Sequence, residues 1–284
     1  MDKKIGFIGA GYMGFGIAKN ILKNDFSLKV IAHKNRVPIE KLLKLGASEA
    51  KTYDELSKDI DCLFICVTNT KIAKEIASSI VPKLKKEILF IDITTHKKNG
   101  SIEMENILSQ NQIKYLECPV MGGPVQAEEG VLGGIVGGSE ENFQVAKEYL
   151  KTFCKDIFHF GPVGVAAKAK LISNFLSLGT TTFVIETIKA ANHFNIDLEK
   201  LYDVAKLGSG NSGALARIAD KAIKGDYRGY IFSVDNTLKD FTYINDMLKD
   251  LPNAEKLSSL VKSFYKEASN KGYGELLISE LIEK

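Results

Sequence analysis

A doubly wound parallel α/β sheet followed by an all-helical domain is the fold class that this 284-residue sequence predicts, on three observations. Up to about residue 160, short β-rich runs alternate with amphipathic segments, the pattern of strands buried on both faces and joined by helices. A glycine-rich turn follows the first of these runs and opens the first helix. Beyond Gly161 the strand-like alternation stops and long helical stretches take over. The predicted domains are residues 1–163 and 164–284, joined through the short stretch "GPVG", which is too tight to act as a loose linker.

The elements follow in order. "KIGFIG" reads as a strand and "GFGIAKNILKN" as a helix; "LKVIAH" is the next strand. "PIEKLLKLG" is a helix with proline at its start and glycine at its end. "DCLFICV" and "EILFIDI" are near-continuous apolar strands flanking the helix "IAKEIASSIVPKL", and "IKYLECPV" and "DIFHFG" are expected to extend the same sheet. From Ala166 to about Asn195 a single proline-free helix is predicted. "LEKLYDVAKLG", "GALARIADKAIKG", "TLKDFTYINDMLKDL" and a segment ending in "LIEK" supply the further helices.

Bulk properties narrow the function. A hydrophobic share of 45% with 26% charged residues is ordinary for a folded globular protein. The net charge of +3, from 38 basic and 35 acidic side chains, argues against nucleic acid or an anionic membrane as the main partner. No apolar run is expected to reach the roughly 18 residues of a membrane span. The first strand begins within a few residues of Met1, leaving no room for a signal peptide. Cys62, Cys66, Cys118 and Cys154 form no CxxC pair, and three of them lie in apolar segments. They read as buried small hydrophobes in a reducing compartment, with no metal site, so a cytoplasmic protein is expected.

"GFIGAGYMGFG" places Gly9, Gly11 and Gly14 in a GxGxxG pattern straight after a strand, the Rossmann-type arrangement for a dinucleotide. Gly9 permits the turn, Gly11 lets backbone approach a pyrophosphate, and Gly14 lets helix pack on strand. The helix N-terminus offers N–H groups and partial positive charge. Tyr12 and Met13 in this loop, and Val67 and Thr68 after the "DCLFICV" strand, join the predicted cofactor set. An NAD site expects an acid at the end of the second strand to bond the ribose 2′-OH. Here His33, Lys34, Asn35 and Arg36 occupy those positions, with no carboxylate before Glu40. That charge suits a 2′-phosphate, so NADP is favoured over NAD; the competing reading is a solvated loop. The missing acid also counts against an S-adenosylmethionine methyltransferase.

With these residues in view, the chain resembles the β-hydroxyacid dehydrogenase family, which includes 3-hydroxyisobutyrate dehydrogenase and the tartronate and glyoxylate/succinic semialdehyde reductases. The resemblance spans nearly the whole chain and rests on four motifs in order. Besides the glycine loop, "DITT" (Asp92–Thr95) is similar to the family segment beside the nicotinamide, and "ECPVMGGPVQAEEGVLG" (117–133) to its substrate loop. The lysine motif GxxGxGxxxKxxxN is met at Gly161, Gly164, Lys170 and Asn174, with Ala166 at its third glycine; "TLKDF" supplies Lys239 and Asp240. The resemblance implies that Lys170 and Asn174 are catalytic. It also implies that Thr95 and Lys239 touch both nicotinamide and substrate, and that Met121, Gly122 and Gly123 hold the substrate. A homodimer or homotetramer is implied as well.

Helix geometry separates Lys170 from its neighbour Lys168 without the family. At about 100° per residue, Lys170 and Asn174 lie roughly 400° apart, on one face, whereas Lys168 lies roughly 200° from Lys170. Hydride reduction of a carbonyl leaves an alkoxide that needs a proton and a positive charge, and a partly buried lysine supplies both. Together with the charged end of the second strand, the resemblance implies NADP-preferring interconversion of a small β-hydroxyacid and its semialdehyde. One departure bears on the substrate: Met121 stands where the family usually has a serine, so either the backbone N–H groups of Gly122 and Gly123 and the Lys239 side chain hold a carboxylate alone, or the substrate is bulkier and less polar there. His96 is expected to be a solvent-exposed loop residue. The rivals are an imine reductase on the same scaffold, which would generally replace the lysine, and a non-catalytic nucleotide-binding or interaction protein.

Overall fold

The computed structural model describes residues 3–284. The chain divides into two compact units, Met1–Lys170 and Leu171–Lys284. The first unit runs β1 (Lys4–Ile8), α1 (Tyr12–Lys23), β2 (Ser27–Ile31), α2 (Val37–Lys44), β3 (Ser48–Ala50), α3 (Tyr53–Ser57), β4 (Cys62–Ile65) and α4 (Thr70–Ile80). It continues with β5 (Leu89–Asp92), α5 (Gly100–Ser109), β6 (Lys114–Glu117), β7 (Val120–Met121), α6 (Pro124–Glu129), β8 (Leu132–Val136), α7 (Glu140–Leu150) and β9 (Cys154–His159). α8 (Val165–His193) begins in this unit and carries into the second, where α9 (Leu198–Lys206), α10 (Gly213–Ala222), α11 (Val234–Met247) and α12 (Pro252–Ala268) follow.

Six strands form one parallel sheet in the order β3-β2-β1-β4-β5-β6. The chain moves outward from β1 to β3 and then restarts beside β1 with β4, so the loop after β1 lies at the point where the order reverses, where such sheets bind ligands. Alternate residues of the central strands feed two cores. Phe7, Cys62, Phe64, Leu89 and Ile91 pack with Ile17, Tyr149 and Phe153 on one face. Ile8, Leu63, Ile65 and Phe90 pack with Ala73, Ile80 and Met104 on the other. Several helices start at side-chain caps: Asn69 accepts from the N–H of Ile72, Ser139 from that of Asn142, and Ser233 from that of Asn236.

Two expectations need correction here. "DIFHFG" does not extend the parallel sheet. Its strand β9 belongs to a separate three-stranded sheet, β7-β8-β9, in which β7 runs antiparallel to β8. Pro119 explains the switch: the N–H of Cys118 still bonds to Asp92 O at 2.7 Å, but Pro119 has no N–H to continue that ladder. Its carbonyl instead accepts from the N–H of Ile135 at 3.0 Å.

The second correction concerns α8, which does contain an 18-residue window of mean hydropathy 1.3, long and apolar enough by composition to cross a membrane. Its residues 171, 178, 185 and 188 enter the core of the second unit with Ile218, Phe241, Ile244 and Tyr265. The apolar character is therefore shared between a packed face and an exposed one at Ile172, Leu176 (73% exposed) and Phe183 (67%).

Candidate active site

The glycine loop is built by close contacts. Gly9 has φ +99°, and a Cβ there would lie 2.1 Å from Cys66 O; a Cβ on Gly14 would lie 2.0 Å from Gly9 O. Gly11 differs. It stands extended at the N-cap of α1, has no side chain to offer the first turn, and a Cβ there meets nothing within 4 Å. The protein's own packing gives no reason for this glycine. A phosphate brought against the N–H groups of α1 does, so the loop fits a dinucleotide. Tyr12 is 85% exposed and Met13 half-buried at the same helix start. Gly16, which the motif does not include, is needed for another reason: a Cβ would come within 2.5 Å of the Ala127 backbone, where α1 packs on α6.

At the end of β2, His33, Lys34 and Asn35 are exposed, and Asn35 Oδ1 accepts from the N–H of Val37. Arg36 is engaged: its guanidinium makes a two-pronged pair with Glu49 of β3 at 3.0 and 3.1 Å, and lies 3.7 Å from Glu40. The guanidinium holds the Glu49 carboxyl below its usual range. Of the two positive charges expected to greet a 2′-phosphate, one is thus shared with an acid. Val67 donates its N–H to Thr94 Oγ1 at 3.2 Å, which ties the loop carrying exposed Thr68 to the "DITT" segment and half-buried Thr95.

Lys170 is buried, at 8% exposure, whereas Lys168 is half-buried. Lys170 Nζ donates to Val120 O at 2.8 Å and lies 3.4 Å from Met121 Sδ. Gly122 follows at φ +116°, a conformation that a side chain would strain. The expectation that the Gly123 N–H stands open is corrected: it donates to Gln126 Oε1 at 2.9 Å, in a box that starts α6. A substrate carboxylate must displace that bond to use it. In the second unit, Asn174 is buried and donates from Nδ2 to Asp240 Oδ2 at 2.7 Å. Lys239 Nζ lies 3.1 Å from the other oxygen of the same carboxylate.

His96 is not a solvent-exposed loop residue; it is 1% exposed. Its Nε2 lies 2.8 Å from Asp92 Oδ2 and its Nδ1 3.2 Å from Thr70 Oγ1. The Tyr115 hydroxyl donates to the same Asp92 oxygen at 3.2 Å, and Asp92 Oδ1 accepts from the N–H of Thr94 at 2.9 Å. Burial, with the Asp92 and Glu117 carboxylates nearby, pushes the Tyr115 phenol well up, so it stays a donor. The sequence signal for this pair was spacing: Asp92 and His96 flank two threonines at the end of an apolar strand. His96→Ala leaves a buried carboxylate short of a partner, which costs about 3 kcal/mol. The melting temperature is expected to fall by about 6–12 °C; an unchanged value in a calorimeter would remove this network from the account of the fold.

Comparison with known proteins decides the family. Residues 4–161 match the NAD binding domain of 6-phosphogluconate dehydrogenase, and residues 164–283 match the NAD-binding module of NADP-dependent 3-hydroxyisobutyrate dehydrogenase. The chain belongs to the β-hydroxyacid dehydrogenase family. This is a family of NAD(P)-dependent oxidoreductases acting on CH–OH groups. Within it, the chain is 28% identical over 276 residues to L-threonate dehydrogenase of Haemophilus influenzae, covering 95% of this chain and 91% of that one. It is 25% identical over 277 residues to the cytokine-like nuclear factor N-PAC of Anopheles gambiae, covering 95% of this chain but only 48% of that longer protein. The crystal structure of 3-hydroxyisobutyrate dehydrogenase from Salmonella typhimurium superposes with a TM-score of 0.90 at 26% identity, covering 99% of both chains.

Proposed function

We propose that this β-hydroxyacid dehydrogenase reduces a small semialdehyde to its β-hydroxyacid, and runs the reverse oxidation, with a preference for NADP. The observation that carries this reading is Lys170: a buried ammonium held against a backbone carbonyl beside the substrate loop. When bound, reduced nicotinamide supplies the hydride. Lys170 Nζ then delivers a proton to the carbonyl oxygen as negative charge develops there, and takes it back in the oxidative direction. Asn174, fixed by Asp240, orients the reacting oxygen through its amide. Thr95, Gly122 and Lys239 hold the substrate and the nicotinamide.

Met121 bears on how the substrate is held. A thioether donates no hydrogen bond, so either a carboxylate rests on backbone N–H groups and Lys239, or the substrate is bulkier and less polar at that point. The test is turnover of succinic semialdehyde, glyoxylate, methylmalonate semialdehyde and tartronate semialdehyde with NADPH. Binding of NADPH without turnover of any of them would overturn the reading, and an assay with imines would then separate an imine reductase from a non-catalytic nucleotide-binding protein. The absence of an acid at the end of β2 supports NADP, with Lys34 as the charge most open to a 2′-phosphate. Glu49 competes for Arg36, so Glu49→Gln is expected to raise the preference for NADPH over NADH by about two- to fivefold, the range of an exposed ion pair. Equal Kd ratios for the two proteins would exclude Arg36 from 2′-phosphate binding.

Assembly as a homodimer or homotetramer is supported by the exposed apolar face of α8 and by Leu257, Leu260 and Phe264, three more half-open apolar side chains on α12. Sedimentation of the purified chain tests it. Cys62, Cys66, Cys118 and Cys154 form no disulfide with one another, which suits the cytoplasm.

A further inference from the structure

α8 begins without a cap of its own. Its N-cap position is Gly164, and no Ser, Thr, Asp or Asn lies in the stretch "GPVGVAAK" that leads into it. The first N–H groups of a helix nevertheless need acceptors. Here they find them 47 residues upstream in the chain. Glu117, at the end of β6 and 1% exposed, accepts from the N–H of Gly164 at 2.6 Å and of Ala166 at 3.1 Å through Oε1. It accepts from the N–H of Ala167 at 3.2 Å through Oε2. Burial pushes the Glu117 carboxyl upward, and these backbone donors pull against that rise.

The cap and the catalytic lysine's partner come from the same stretch. Three residues after Glu117 in the chain, the Val120 carbonyl takes the Lys170 ammonium. Lys170 itself lies one turn beyond Ala166. Space for the carboxylate is set by Gly137, where a Cβ would lie 2.3 Å from Glu117 Oε1, and the Glu117 and Gly137 backbones exchange two hydrogen bonds at 2.9 Å.

We infer that Glu117 is a positioning residue for Lys170, clamping the first turn of α8 onto the strand end that receives the lysine. The inference rests on the assignment of Lys170 as the proton donor, and the test separates the two. Glu117→Ala removes the clamp. Gly137→Ala displaces the carboxylate while leaving it in the chain. Glu117→Gln keeps one acceptor oxygen and the native shape. Displacement of a reacting group by about 1 Å can lower turnover by about a hundredfold. The alanine variants are therefore expected to lose about ten- to a hundredfold in kcat on the responsive semialdehyde, with NADPH Kd unchanged, and Glu117→Gln to recover part of the loss. Adding Gly137→Ala to Glu117→Ala is expected to cost nothing more, because both act through one contact.

Two readouts do not depend on turnover. Amide exchange at Ala166 and Ala167 is expected to quicken, and acetic anhydride to label Lys170 faster relative to Lys168. Fast exchange and labelling with unchanged kcat would overturn the positioning role, and unchanged exchange would overturn the clamp itself. If Glu117→Ala fails to fold, Glu117→Gln and Gly137→Ala carry the same comparison. If Lys170→Ala retains turnover, the lysine assignment fails instead, and exchange and labelling still decide the clamp.

Discussion

Lys170→Ala is expected to lose about 10²- to 10⁴-fold in kcat for semialdehyde reduction, the usual contribution of a positioned acid or base, while Lys168→Ala stays close to the parent enzyme. The contrast has a structural cause. Two positions along α8 turn a side chain to nearly the opposite face. Only Lys170 reaches Val120 O and Met121 Sδ. NADPH Kd is expected to be similar for both variants, so the loss appears in the chemical step rather than in cofactor binding. Steady-state NADPH oxidation together with a fluorescence titration of NADPH measures both. A dead Lys168→Ala with an active Lys170→Ala would reverse the assignment.

The glycine loop gives the second large contrast, this time between folding and binding. Gly14→Ala puts a methyl group 2.0 Å from a backbone oxygen that cannot move without shifting the turn after β1. A destabilisation of about 3 kcal/mol or more is expected, visible as a lower denaturation midpoint. Gly11→Ala places its methyl in open space at φ −78°, a conformation that alanine accepts. Its stability is expected to be unchanged or slightly raised. If the pyrophosphate approaches this backbone, the same methyl costs about 1–3 kcal/mol of binding, or about 5- to 150-fold in NADPH affinity. Unaltered affinity in a stable Gly11→Ala protein would place the cofactor elsewhere.

The sheet, the long helix and the helical second unit were legible because each is written in local periodicity. Two-sided burial gives the continuous apolar runs of β4 and β5, and the absence of proline from 166 to 195 gives α8. The small second sheet was not legible as such. β7 is only two residues long and β8, "LGGIV", carries two glycines, so neither announces a strand. Pro119 was the available sign that "IKYLECPV" cannot be one strand. In the proposed site, the glycines are marked by their spacing, and Lys170 and Asn174 by the resemblance, with helix periodicity separating Lys170 from Lys168. His96 was misplaced because its burial comes from Thr70 and Asp92, and Thr70 lies 26 residues earlier in the chain. Glu117 lies at the start of the substrate-loop motif, where nothing in the local sequence marks its role. A helix start lacking any capping side chain was the clue that an acceptor had to arrive from elsewhere.

The strand switch at Pro119 has an evolutionary consequence. Met121 sits on a strand that pairs with β8 rather than with the six-stranded sheet, and its partner in register is Gly133, which has no side chain to collide with. Position 121 is therefore insulated from the packing that keeps the nucleotide-binding scaffold standing. If position 121 meets the substrate, as proposed, specificity can evolve there at little cost to the fold.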